Sequence, residues 1–387
     1  MGHHHAPPGL GEPEFFAHGH AGAAPGSEPL TERLHLHGTV LPDGEVRDLW
    51  VVDGVIRTEP VAGAVTVCRN AWLVPGLVDA HCHIGLSSHG GVEREVAEAQ
   101  ARTDRDAGTL LVRDAGSPVD THWIDDEPDL PRIVRAGRHI ARTARYIRHY
   151  AAEVEPEALV AEVDRQARRG DGWVKLVGDW IDRSVGDLSP LWPADVAAAA
   201  IARAHELGAR VTAHCFGEES VHQLVRAGID GIEHGTGLDD ATISLMAARQ
   251  VSLVPTMINL ENFPAFADAG EAKFPGYAAH MRSLHARRFE TIGKAVDAGV
   301  PVYAGTDAGG TLGHGILPSE IGLLARVGGA EFALGAASWR ARSWLGAPGS
   351  LTEGAWADLV AYDSDPLADV AVTRRPTLVI LRGRLVG

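Results

Sequence analysis

The chain has 387 residues, 45% of them hydrophobic, which is enough to bury one large domain with an accessory module. A formal net charge of −16 and the lack of any dense Lys/Arg run argue against nucleic acid or an anionic membrane as a partner. Cys68, Cys82 and Cys215 form no CxxC pair, so a disulfide framework and a cysteine zinc knuckle are both disfavoured.

The cysteines read as free thiols in a reducing compartment. With no leader-like start and no run of about 18–20 apolar residues, a cytoplasmic protein is expected. Residues 1–30 are rich in Gly, Ala, Pro and His, include His3, His4 and His5, and lack periodicity. They read as a disordered tail in which adjacent histidines bind metal only adventitiously. From 34 to 68, short β-prone pieces alternate with turns such as Pro42–Asp43–Gly44 and Asp53–Gly54. Residues 357–362 and 378–381 are β-prone again, so 31–72 and 350–387 are expected to form one small β-domain.

Between them, residues 73–349 alternate apolar β-like runs with amphipathic helical stretches. Strands are expected at 73–79, 109–113, 133–136, 173–177, 210–213, 231–233, 252–255 and 302–304, and helices at 156–169, 193–207, 219–227 and 286–298. Eight such units, with no GxGxxG after the first strand, favour an α/β fold of the (β/α)8 TIM-like barrel type over a doubly wound sheet.

Chemistry in such a barrel sits at the C-terminal strand ends. The first expected strand leads into His81–Cys82–His83, the fourth contains Lys175, the fifth ends at His214, the sixth at Glu233–His234, and the eighth leads into Asp307. A His-x-His pair, two single histidines and an aspartate make a nitrogen and oxygen donor set suited to zinc or a similar divalent metal. Singly, each is as readily a structural residue; five in chain order at one expected face are not.

From Leu34 onward the chain resembles the amidohydrolase superfamily, in its imidazolonepropionase-like and prolidase-like (Xaa-Pro dipeptidase-type) branch. The resemblance rests on 74–83 (VPGLVDAHCH), 112–116 (VRDAG), 231–236 (GIEHGT), 304–309 (AGTDAG) and 354–360 (GAWADLV). It implies a small β-sandwich domain assembled from both chain ends. It also implies two Zn2+ ions per chain: His81, His83 and Asp307 on the more buried one, His214 and His234 on the other, and a carboxylated Lys175 between them. The plainer reading of Lys175 is an ion-paired barrel lysine, although an apolar strand makes an unpaired charge costly there. The expected reaction is hydrolysis of an amide-type C–N bond in a small peptide, N-acyl amino acid or cyclic amide. A metal-activated hydroxide would attack, with Asp307 as general base and His234 orienting the scissile group.

Relatives of the peptidase-like branch carry a glycine-rich stretch ending in histidine after the third strand; residues 137–150 depart from it. His139, Tyr146 and His149 are the candidate substitutes for substrate contact, and His314, on a loop after the eighth strand, is a fourth. The arginines nearby suit a substrate carboxylate or simply a solvated helix face. Two other reactions stay open: a mononuclear heterocycle deaminase or dechlorinase with Glu218 as proton carrier, and a lactone or ester hydrolase. The partner expected is a small-molecule substrate, with homo-oligomerisation an open possibility.

Overall fold

A computed structural model describes residues 33–386. The expectation of a disordered segment over 1–30 lies outside the described residues. Both chain ends meet in one seven-stranded sheet, ordered Arg384–Leu385, Leu378–Leu381, Leu359–Tyr362, Val65–Pro75, Leu34–Val40, Glu45–Val52 and Val55–Arg57. Strand Leu34–Val40 alternates buried and partly exposed residues, so Leu34, Leu36 and Val40 line one face at period two. They pack with Leu49, Val51, Ile56, Leu73, Leu359 and Ile380 in a core separate from the main one.

The apolar run at 73–79 is two strands rather than one. Leu73–Pro75 ends a strand that runs antiparallel to Leu359–Tyr362, whereas Leu77–Cys82 runs parallel to Thr109–Asp114. The chain changes sheets at Gly76, where a Cβ would lie 2.7 Å from the Leu110 side chain. Any larger residue would force the two strands apart.

Every central strand pairing is parallel. Leu77–Cys82, Thr109–Asp114 and Arg132–Arg135 form one sheet; Ala152–Val154, Ile140–Arg142, Trp173–Val177, Arg210–Cys215, Gly231–His234 and Ser252–Val254 form another. The expected eighth strand is reduced to single bridges: Val302 pairs with Leu253, and Ala308 pairs with Cys82. Helices cover these strands. In Ala194–Glu206, for example, Ala197, Ala200, Ile201 and Ala204 form the buried stripe. All four expected helical stretches are helical in their main part, the last as the longer Pro275–Asp297, while helices at Arg94–Asp106, Asp240–Arg249 and Leu317–Ala336 were not anticipated. None of the described helices is long and apolar enough to cross a membrane.

Residues 137–150 do not form a helix face. Ile140–Arg142 joins the parallel sheet beside Leu176, and a turn with Ala144 and His149 at positive φ leads to Ala152–Val154. Arg145 explains the override of local pattern: its guanidinium reaches Asp182 at 2.8 Å and the Trp180 carbonyl at 3.3 Å, which only the folded-back turn permits.

Two glycines separate steric from entropic effects. A Cβ on Gly38 would sit 2.1 Å from the Ala71 carbonyl oxygen, whereas Gly293, inside the long helix, has nothing within 4 Å of that position. Gly38→Ala is expected to lower stability by about 1–3 kcal/mol and Gly293→Ala to raise it by about 0.5–1 kcal/mol. Denaturant unfolding of the two variants checks both signs.

Candidate metal centre

His81 is the penultimate residue of its strand, so its side chain leaves the sheet at the C-terminal end, with 1% of the residue exposed. His83 follows the strand, and Asp307 follows the bridge at Val302, held by the hydrogen bond from its N–H to the His81 carbonyl at 2.7 Å. His81 Nε2 and His83 Nε2 each lie 3.1 Å from Asp307 Oδ1. The His234 ring is 5.3 Å from that of His81 and 4.7 Å from that of His214. Lys175 Nζ is 3.4 Å from His81 Nε2. All six residues expected to form a metal site are thus brought to the same strand ends, and donor atoms of His81, His234 and Asp307 lie within 4.8 Å of one another.

The ring tautomers decide whether a cation fits. His83 Nδ1 donates to the Gly116 carbonyl at 2.7 Å, and His81 Nδ1 donates to the Glu233 carboxylate at 2.7 Å. A neutral imidazole with its proton on Nδ1 presents a lone pair at Nε2. Both lone pairs therefore face an anionic oxygen, an arrangement that a divalent cation turns from repulsive to attractive. His234 Nδ1 is held by the Thr256 hydroxyl at 2.7 Å, and burial drives its pKa down to about 3, so it too is a neutral donor. His214 Nε2 is buried with no hydrogen-bond partner. Burial depresses the Lys175 ammonium as well. Burial pushes the Asp307 carboxyl up, but the histidines around it, His81 first, outweigh that and hold it well below its ordinary value.

Behind the donors stands a layer that the motifs only hinted at. Glu233, with no exposure, accepts from Arg113 at 2.5 Å and from the Thr212 hydroxyl in addition to His81. Asn259 Nδ2 donates to Asp307 Oδ2 at 2.8 Å. Glu233 was visible as a charge in a buried strand; Asn259 and Thr256 carried no signal in sequence.

Around the centre, His139 is 2% exposed, its ring 5.7 Å from that of His83 and its Nε2 without a partner. Burial above all holds it well below the usual histidine pKa. The Tyr146 ring lies 5.5 Å from His139, 5.7 Å from His214 and 4.7 Å from Trp180, which sits 5.4 Å from His214. These aromatic rings flank the metal-side histidines. His149 is not brought to the cluster: it is exposed, and its backbone carbonyl accepts from Arg138. His314 is engaged elsewhere, its Nδ1 2.7 Å from Asp104, in a second buried donor group with Cys82. Glu218 is held by His280 at 2.9 Å and by Arg287.

Comparison with known proteins gives the family. The Amidohydrolase family model matches residues 72–386. An uncharacterised protein of Mycobacterium tuberculosis is 59% identical over 357 residues, covering 92% of this chain and 96% of that protein. Ochratoxinase from Aspergillus niger is 30% identical over 175 residues, 44% of this chain and 35% of the enzyme, and its crystal structure superposes with a TM-score of 0.76 at 20% identity over 92% and 96% of the two chains. A Xaa-Pro dipeptidase with methionine bound in its active site gives a TM-score of 0.75 at 23% identity, covering 92% of this chain and 99% of that one. With a family match over most of its length and a relative this similar end to end, the chain belongs to the Amidohydrolase family.

Proposed function

We propose that the chain is a metal-dependent hydrolase cleaving an amide-type C–N bond in a small peptide, an N-acylated amino acid or a cyclic amide. The observation that carries this reading is the pair of Nε2 lone pairs of His81 and His83, fixed by Glu233 and Gly116 and aimed 3.1 Å from Asp307 Oδ1. In this reading His81, His83 and Asp307 hold one zinc, His214 and His234 the second, and a carboxylated Lys175 lies between them. The parallel pairings on both sides of Leu77–Cys82 support a closed (β/α)8 barrel over 73–349, with residues 31–72 and 350–387 as a small β-sandwich domain. Amide-cleaving relatives, among them a Xaa-Pro dipeptidase, share the fold.

Divalent metal bound at these donors supplies a water acidified to near neutral pH and polarises the carbonyl. Asp307, anionic at neutral pH and oriented by Asn259, takes the proton of the attacking water and passes it to the leaving nitrogen. His234 is the second catalytic residue, orienting the scissile group from its place beside His214. His139 Nε2 is free to receive a polar substrate atom, and Tyr146 with Trp180 offers the apolar wall. The deaminase reading is weakened by Glu218, whose carboxylate is already committed to His280 and Arg287 and is 45% exposed.

Elemental analysis of protein grown with zinc and bicarbonate tests the reading. About two metals per chain, falling to one or none in Lys175→Ala, is the expected result; a metal-free wild type would overturn it, and one metal in both proteins would return the lysine to a structural role. Asp307→Ala is expected to lose about 10²–10⁴-fold in hydrolysis of a dipeptide, N-acyl amino acid and lactam panel.

A pH measurement checks the Glu218 assignment. The hydrogen bond that His280 donates to Glu218 raises its pKa to about 9, with the one to Asp187 adding to it. A raised histidine stabilises fully below its unfolded pKa of about 6.5 and loses that contribution as pH rises through the folded value. Wild type is therefore expected to lose stability between those two values relative to His280→Gln, read from denaturant midpoints across the range.

A further inference from the structure

Glu320 lies in helix Leu317–Ala336, which begins ten residues after Asp307, and has no exposure to solvent. It makes no ion pair among the described residues. Its Oε1 accepts the Met257 N–H at 2.9 Å and its Oε2 the Ile258 N–H at 2.8 Å. Two separate oxygens each taking an N–H is the geometry of a carboxylate. Burial pushes this carboxyl up to about 8, so the site keeps the group at a cost.

The two amides belong to the first turn of the four-residue helix Met257–Leu260. A helix start leaves its N–H groups without partners, and the residue normally placed to cap them is Thr256. Thr256 does not cap: it stands at φ 45°, makes no cap hydrogen bond, and its hydroxyl is committed to His234 Nδ1 at 2.7 Å. For a β-branched residue this left-handed conformation is strained and persists only when neighbours hold it. Glu320 supplies the cap from a distant helix and so frees Thr256 to face the histidine. Three residues on, Asn259 donates to Asp307 Oδ2 at 2.8 Å, its amide oriented by the Asn262 Nδ2 to Asn259 Oδ1 bond at 3.2 Å.

One short segment, 256–259, therefore holds both His234 and Asp307, and Glu320 holds the segment. We propose that Glu320 is a positioning residue for the metal centre, setting the orientation of His234 through Thr256 and of Asp307 through Asn259. The inference deepens the metal-hydrolase reading and rests on it for the identity of the centre, but the linkage among these five residues stands by itself.

Glu320→Gln keeps the shape and leaves one acceptor: the amide NH2 would face one of the two N–H groups, which pushes the segment away. Crystal structures of the metal-free wild type and variant read the linkage directly, and chelator competition reads zinc affinity. The expected result is an Asn259 Nδ2 to Asp307 Oδ2 separation beyond 3.5 Å, with zinc affinity reduced by about 10–100-fold. If Glu320→Gln does not fold, Glu320→Asp, which keeps the carboxyl but falls one methylene short, is read the same way. A bond preserved at its wild-type length overturns the proposal whatever the zinc affinity, and so does a broken bond with zinc affinity unchanged within twofold. A wild type that binds no zinc contradicts the metal-centre reading, while the crystallographic comparison still decides the role of Glu320.

Discussion

Glu233 is a carboxylate with no contact with solvent, and it is satisfied by three hydrogen bonds, from Arg113, Thr212 and His81. Its own strand, Gly231–His234, and the three strands that donate to it are thereby tied at one point. Burial alone would push the carboxyl up, but the Arg113 guanidinium and the hydrogen bond from His81 hold it well below the ordinary range. Losing one member of a buried ionic group costs about 3–5 kcal/mol, because the remaining charge is left without compensation. The Arg113 guanidinium is further packed against Trp173 and Trp344, 4.7 and 5.1 Å from the ring centres. The His81 ring therefore has a single orientation and a single tautomer available before any ligand arrives, and the chemistry of the centre follows from that constraint.

The chain then spends conformational energy to bring the other groups to the same place. His234, the last residue of its strand, and Asp307, just before the bridge residue Ala308, both stand at positive φ, where a non-glycine residue is strained. Such strain collects where the surrounding structure over-determines a side chain. Here the determinants are visible: Thr256 on His234, Asn259 on Asp307, and the His81 carbonyl on the Asp307 N–H. Rigid parallel strands supply the floor, short segments after them supply the donors, and the aromatic pair of Tyr146 and Trp180 narrows the approach.

The residues of the candidate centre were legible in sequence because most stand at strand ends in a fixed order: His81, His83, His214, His234 and Asp307, with Lys175 inside its apolar strand. The parallel strands were legible for the same reason, as short apolar runs bounded by turns. What escaped was set by tertiary contact. The 73–79 run conceals a change of sheet at Gly76, whose cause is the approach of Leu110 across the chain. Residues 140, 144 and 147 fit a helical stripe, yet the Arg145 contacts with the Asp182 hairpin hold the segment as strand and turn. His314 reads as a loop histidine able to face a substrate, but Asp104, 210 residues away, claims its ring. Asn259 and Glu320 matter only through partners 48 and 63 positions distant, which no local pattern announces.

Anomalous X-ray scattering at the zinc edge, on crystals of the zinc-grown protein, tests the central claim most directly. The account predicts an anomalous peak bonded to His81 Nε2, His83 Nε2 and Asp307, with both Nδ1 atoms still on Glu233 and Gly116, and a second peak beside His214 and His234. A peak absent from this cluster, or ligation through Nδ1 with the Glu233 and Gly116 contacts broken, would contradict it.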